Sequence, residues 1–260
     1  DGTSTGQLKA LKINLNSLVT EANIGFELDT IRYRNSSDNP TVNNTKTTRT
    51  YSVVVNDGAN NNLAGGSALN SNTMTGNITI TPANDLLITD LNGATAGVNN
   101  SVSWTETANA NSTAVNICSN VTLSDIDNNN LSQITLALTG LVDGNSEVLT
   151  ISGVSFLLGT DYSSTTAGAF SVSYSASTGL LTILPGSGAT FTLANAQTLL
   201  RGITYNNTTH NPTVTPNRVI SITVMDAGDD NIGGSNKTIS LVTTSTISLT
   251  AVNDAPVVTA

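Results

Sequence analysis

The chain has 260 residues, of which 38% are hydrophobic, 4% aromatic and only 10% charged, and its formal net charge is −9. That acidity repels phosphate backbones and leaves no basic segment for an anionic membrane surface, so nucleic acid is excluded as a partner. No apolar run reaches the length of a membrane span, which excludes membrane insertion by a helix.

With few aromatics, Val, Ile, Leu, Ala and Thr must build the interior. β-branched residues between frequent turn formers predict many short strands, hence an all-β sandwich or barrel. The length allows one large or two ordinary domains. The start at Asp1, without a signal-peptide pattern, suggests a processed or excised product. The single cysteine, Cys118, lies in an apolar alternating run and reads as a small buried hydrophobe.

Taken in order, the chain repeats itself. Ser4–Leu11 matches Ser177–Leu184, and Ile31–Val42 matches Ile203–Val214, sharing Ile-x-Tyr-x-Asn and Asn-Pro-Thr-Val. Val53–Asp57 matches Ile222–Asp226, and Asn84-Asp85 matches Asn253-Asp254, both at an offset of 169 residues. Ordered matches with small drifts in spacing are a true repeat rather than biased composition. Residues 86–260 therefore hold one complete unit, and residues 1–85 hold the later half of another.

Within the complete unit, alternation predicts strands at 116–123, 133–139, 148–152, 170–175, 180–184, 202–205, 218–224 and 239–251. Leu193, Ala196, Leu199 and Leu200 recur at helical spacing behind Thr192, which predicts a capped helix of one or two turns. In the first copy, Ala22, Asn23 and Leu28 occupy the equivalent places. Ser177-Thr178-Gly179 reads as a hairpin turn, Asn39-Pro40 and Asn211-Pro212 as loop closures where a cis bond is open. The Asn runs 60–62 and 128–130 read as loop tips.

Half a sandwich leaves an apolar face and bare strand edges. Three covers are open for residues 1–85: strands outside this sequence, the second domain, or a neighbouring molecule donating strands.

Acidic residues gather at strand ends. Asp125-x-Asp127 closes an apolar run and can converge on one cation, but Ca²⁺ takes six to eight oxygens and the pair needs partners. Asn84, Asp85 and Asp226 are the candidates to supply them, against the simpler reading of a solvated Asp-rich loop. Catalysis has little support: there is one His, His210, one Cys, no Gly-x-Ser-x-Gly elbow, no zinc spacing and no phosphate-binding glycine loop. His210 stands where the first copy has Asp38, which reads as a tolerant surface position. Trp104, the only tryptophan, reads as packing rather than as a sugar platform.

The order Glu106, Asp125-Ile126-Asp127, Asp226-Ala227-Gly228 and Asn253-Asp254-Ala255-Pro256 resembles cadherin-type domains, specifically the cadherin-like repeats of large bacterial surface adhesins. The Tyr205–Thr208 phrase is also similar to those repeats, and the first copy adds Asn56-Asp57-Gly58 and Asn84-Asp85. The resemblance implies tandem Greek-key β-sandwich domains, cadherin- or immunoglobulin-like, on a cell surface, stiffened by interdomain Ca²⁺. It places Asn84, Asp85, Asp125, Asp127 and Asp226 in one site between the units, and Glu106, Asn253 and Asp254 in a site facing a following unit. Departures are the lack of a proline after Asp85, the length of the unit and the sparse carboxylates. The expected role is a spacer, stalk or filament subunit, with neighbouring repeats or copies of itself as partners. The alternative is an adhesive module whose loop ends recognise glycan, protein or ice on a host or matrix.

Overall fold

The computed structural model describes residues 25, 28–43, 45–57, 68–127, 129–228 and 237–256. The chain divides into two compact units, Asp1–Pro82 and Ala83–Ala260. The Ser4–Leu11 match, Ala22, Asn23, Gly58, the Asn60–Asn62 tip and Asn128 lie outside the described residues.

In the smaller unit, residues 28–30 are helical. Strands β1 (Thr48–Val53) and β2 (Met74–Thr79) then pair antiparallel as a two-stranded sheet. Among its described residues the larger unit is β apart from one α-helix and a 3-10 turn at Gly144–Ser146. Its strands are β3 (Ile88–Asp90), β4 (Asn100–Thr105), β5 (Val115–Asn116), β6 (Thr122–Ser124), β7 (Leu131–Thr139), β8 (Glu147–Ile151), β9 (Val154–Leu157), β10 (Tyr162–Ala167), β11 (Phe170–Ser175), β12 (Leu180–Pro185), β13 (Thr204–Asn207), β14 (Arg218–Asp226) and β15 (Thr243–Thr250). A seven-stranded sheet runs β10-β11-β12-β7-β14-β15-β4, a four-stranded sheet runs β5-β13-β8-β9, and β3 pairs with β6. Every pairing is antiparallel except β15 with β4.

The two larger sheets close on one core. Ile134, Leu136 and Leu138 from β7, with Ile220, Ile222 and Val224 from β14, join Leu149 and Ile151 from β8 and Tyr205 from β13. Strict alternation puts them there, because successive side chains of a strand point to opposite faces. Trp104 is fully buried, and its indole N–H donates to Asn206 Oδ1 at 3.0 Å, which makes it packing. Cys118 is buried too, and its thiol, pushed up to about 12 by burial, donates to the Leu200 carbonyl. No helix among the described residues is long and apolar enough to cross a membrane.

The helix α1 spans Leu193–Arg201, and Thr192 caps it by accepting from the Asn195 N–H at 3.1 Å. Ala196, Leu199 and Leu200 are its buried face, as the spacing predicts. Gly179 ends the β11–β12 turn at φ +68°, where a Cβ would sit 2.2 Å from the Leu138 carbonyl oxygen. The cis peptide bond is Thr215–Pro216, rather than Asn39–Pro40 or Asn211–Pro212.

The strand expected at 202–205 lies at 204–207, and two others differ more. The run 116–123 breaks into β5 and β6, because Asn116 Oδ1 accepts from the Cys118 N–H at 2.9 Å and the Val121 N–H turns onto the Cys118 carbonyl. The last strand begins at Thr243 rather than at residue 239, since the Ser240 hydroxyl is engaged with the Val224 N–H and the Leu241 carbonyl. Strands β3, β4, β9 and β10 were not expected. They are short or rich in Ser and Thr, so their alternation is weak in sequence.

Candidate functional site

Because β4 runs parallel to β15 and β14 runs antiparallel to it, the larger unit has two opposite poles. Asp226, at the end of β14, lies at one. Glu106 and Asp254, which follow β4 and β15, lie at the other.

At the first pole, Asp226 is fully buried and acts as the hub. Its Oδ1 accepts from the Gly228 N–H at 2.8 Å and its Oδ2 from the Asn84 amide at 2.8 Å, while the Thr238 N–H reaches both oxygens at 3.0 Å. The Thr238 hydroxyl also lies against Oδ2, at 2.5 Å. Asp127, equally buried, accepts from the Asp85 N–H at 3.1 Å, and its own N–H donates to Asp125 Oδ1 at 3.2 Å. The five residues Asn84, Asp85, Asp125, Asp127 and Asp226 thus meet through hydrogen bonds, all within the larger unit. Asn84 Oδ1 is buried and accepts no hydrogen bond, so it is an oxygen open to a cation. Asp226 fits an ion less well, because protein donors already occupy both of its oxygens.

At the second pole the ligand atoms converge. Among the described residues, Glu106, His210 and Asp254 are the group of three whose ligand atoms all lie within 4.8 Å of one another. Glu106 is only 4% exposed; its Oε2 accepts from the Val252 N–H at 2.8 Å, and its Oε1 is buried without a hydrogen bond. A buried carboxylate oxygen with no donor from the protein is one that water or a cation can satisfy. Asp254 Oδ1 accepts from the Asn109 N–H at 2.6 Å, and Oδ2 stands 4.0 Å from His210 Nδ1. The Asn253 amide instead turns onto the Asp254 carbonyl, at 3.1 Å. Glu106 and Asp254 bring two carboxylates together, and a cation held there would draw its remaining oxygens from elsewhere. His210, which looked like a tolerant surface position, is the third potential ligand, and imidazole is a donor that zinc-like metals prefer.

No protein-family model and no curated protein matches this chain.

One cluster was missed in sequence. Arg218, 1% exposed, donates its Nε to Glu147 Oε1 at 2.8 Å and its Nη2 to the same oxygen at 2.5 Å. The same Nη2 reaches Asp143 Oδ2 at 2.9 Å, which also accepts from the Asn207 amide at 2.7 Å and the Thr213 N–H at 3.0 Å. Burial pushes the Glu147 carboxyl up against the pull of Arg218. At Asp143 burial pulls the same way, but the bonds from Thr213 and Asn207 and the charge of Arg218 outweigh it and hold the carboxyl below its ordinary value. The signal was present, because Arg49 stands at the repeat position of Arg218.

Proposed function

We propose that this chain is a structural, extracellular tandem repeat of a microbial surface adhesin or filament, of the cadherin-like kind. It serves as spacer, stalk or fibre subunit, with Ca²⁺ bound at a pole as a stiffener. The observation that carries the reading is the agreement between the two units at the level of single hydrogen bonds. At the 169-residue offset, Leu69 N–H to Asp57 Oδ1 (2.9 Å) corresponds to Thr238 N–H to Asp226 Oδ1 (3.0 Å). Val55 N–H to Ser71 Oγ (2.9 Å) corresponds likewise to Val224 N–H to Ser240 Oγ (3.0 Å). Two units built on one plan, with carboxylates at the poles of the complete one, suit an array whose neighbours meet end to end.

Placement of the polar oddities favours a spacer over a loop-end binding module. Trp104 is buried, and the described Phe and Tyr residues of the larger unit are buried or half-buried, so that unit presents no exposed aromatic platform.

The cation role is tested by calorimetric melting in Ca²⁺ and in chelator. Ligand at about 100 times its dissociation constant adds roughly 2.7 kcal/mol, a shift of several degrees. Glu106→Gln with Asp254→Asn should remove the part owed to the second pole. An unchanged midpoint in the parent chain, with no calorimetric heat of Ca²⁺ binding, sinks the stiffening role.

A further inference from the structure

The two units share one hairpin. Strand β1 pairs with β2 as Arg49↔Ile78, Tyr51↔Gly76 and Val53↔Met74. Strand β14 pairs with β15 as Arg218↔Ile247, Ile220↔Ser245 and Ile222↔Thr243, each pair displaced by 169 residues. The bridge Asn56↔Asn70 recurs as Met225↔Ile239.

What differs is the covering. In the larger unit, β14 has β7 on its other edge, and β13 lies between β5 and β8. All three of these partners come from the first half of the repeat. In the smaller unit, β1 pairs with β2 alone among the described residues. Residues 32–35, the repeat of β13, form no strand there, since a strand exists only through the neighbours that bond it. The same contrast governs exposure: Ile31, Tyr33 and Tyr51 are 48%, 46% and 52% exposed, against 0%, 0% and 1% for Ile203, Tyr205 and Ile220. It also governs charge. Arg218 meets Glu147 and Asp143, whereas Arg49 donates to the carbonyls of Lys46 and Pro40 at 2.6 Å each.

We propose that the edge of β1 away from β2 and the exposed Ile31–Tyr33–Tyr51 face dock the first half of a repeat of this same kind. The occupant is a segment with the chemistry of β7 through β8. It adds beside β1 in antiparallel register and delivers a Glu–Asp pair to Arg49. The inference rests on the tandem-repeat reading. The register follows from the larger unit, where Val219, Ile220, Ile222 and Val224 face Thr139, Leu138, Leu136 and Ile134. Thr50, Tyr51, Val53 and Val55 would face the equivalent four residues. A second copy of this chain is a poor donor. Its own Ile134, Leu136, Leu149 and Ile151 are fully buried in its core and would have to be stripped out. The occupant is therefore an additional first-half segment, recognised by backbone pairing, an apolar alternating row and an acidic pair.

The test uses the whole chain with a synthetic peptide of residues 131–151, in chelator, read by amide hydrogen exchange. The amides at 50–55 should slow at least about tenfold at saturating peptide, while those of β14 and β15 stay unchanged. Arg49→Met in the chain, or Glu147→Gln in the peptide, should weaken binding by about tenfold or more, and Tyr51→Lys should abolish it. The two substitutions in the chain lie outside the larger unit, whose melting serves as the folding control. No slowing at 50–55 with millimolar peptide overturns the proposal. So does slowing that appears without peptide and grows with chain concentration, which would make a second copy the occupant. Working in chelator separates the outcomes: a failed peptide experiment beside an intact Ca²⁺ shift removes the docking and leaves the stiffened repeat.

Discussion

Asp226 and Asp57 each accept from the backbone N–H twelve residues on and differ in what surrounds them. Asp226 is fully buried and serves Gly228, Thr238 and Asn84, whereas Asp57 is exposed. Charge-assisted hydrogen bonds to a buried group are the costly ones to lose. Asp226→Ala should therefore destabilise the larger unit by about 3 kcal/mol in denaturant melts, and Asp57→Ala should leave that unit's midpoint unchanged. Asp143 supplies a pH signature. Its folded pKa lies below its ordinary value, so its contribution to stability is complete above the unfolded pKa and is lost as pH falls through the folded one. The melting temperature should fall steeply below about pH 4, and Asp143→Asn should flatten that limb. Glu147, shifted the other way, offsets part of the slope.

Strand β14 shows how one element serves both poles. Its inward row reads Arg218, Ile220, Ile222, Val224, Asp226, apolar in the middle and charged at each end. The repeat row Arg49, Tyr51, Val53, Val55, Asp57 has the same design. The ends can carry charge because each reaches a pole where partners wait, while the middle faces only the opposite sheet. Arg218→Met should cost about 3–5 kcal/mol, because it leaves Glu147 buried without a counter-charge. Adding Glu147→Leu should recover much of that loss, measured by the denaturant midpoint of the double variant. At the helix, Thr192→Ala should cost about 1 kcal/mol through loss of the Asn195 cap, far less than breaking the ion pair.

At the scale of the whole molecule, the units contrast in how much they bury. The larger has a continuous two-sheet core, and the smaller keeps its apolar row half-buried or exposed around a two-stranded hairpin. A hairpin that buries little apolar surface is marginal in water. Hydrogen exchange should accordingly show β1 and β2 opening far more readily than β7, β14 and β15. Equal protection of the two hairpins would contradict this difference in burial.

The sequence by itself determined the all-β class, the internal repeat, the capped helix and the gathering of acidic residues at strand ends. Each follows from local alternation, turn chemistry or self-comparison. Only the tertiary structure decided which acidic residues meet. Glu106, His210 and Asp254 lie far apart in the chain, and the parallel docking of β4 on β15 brings Glu106 beside Asp254. Tertiary structure also decided that Ile203–Asn207 contains a strand while the matching Ile31–Asn35 does not. Both segments carry the same local pattern, and β pairing is a property of neighbours that no local pattern contains.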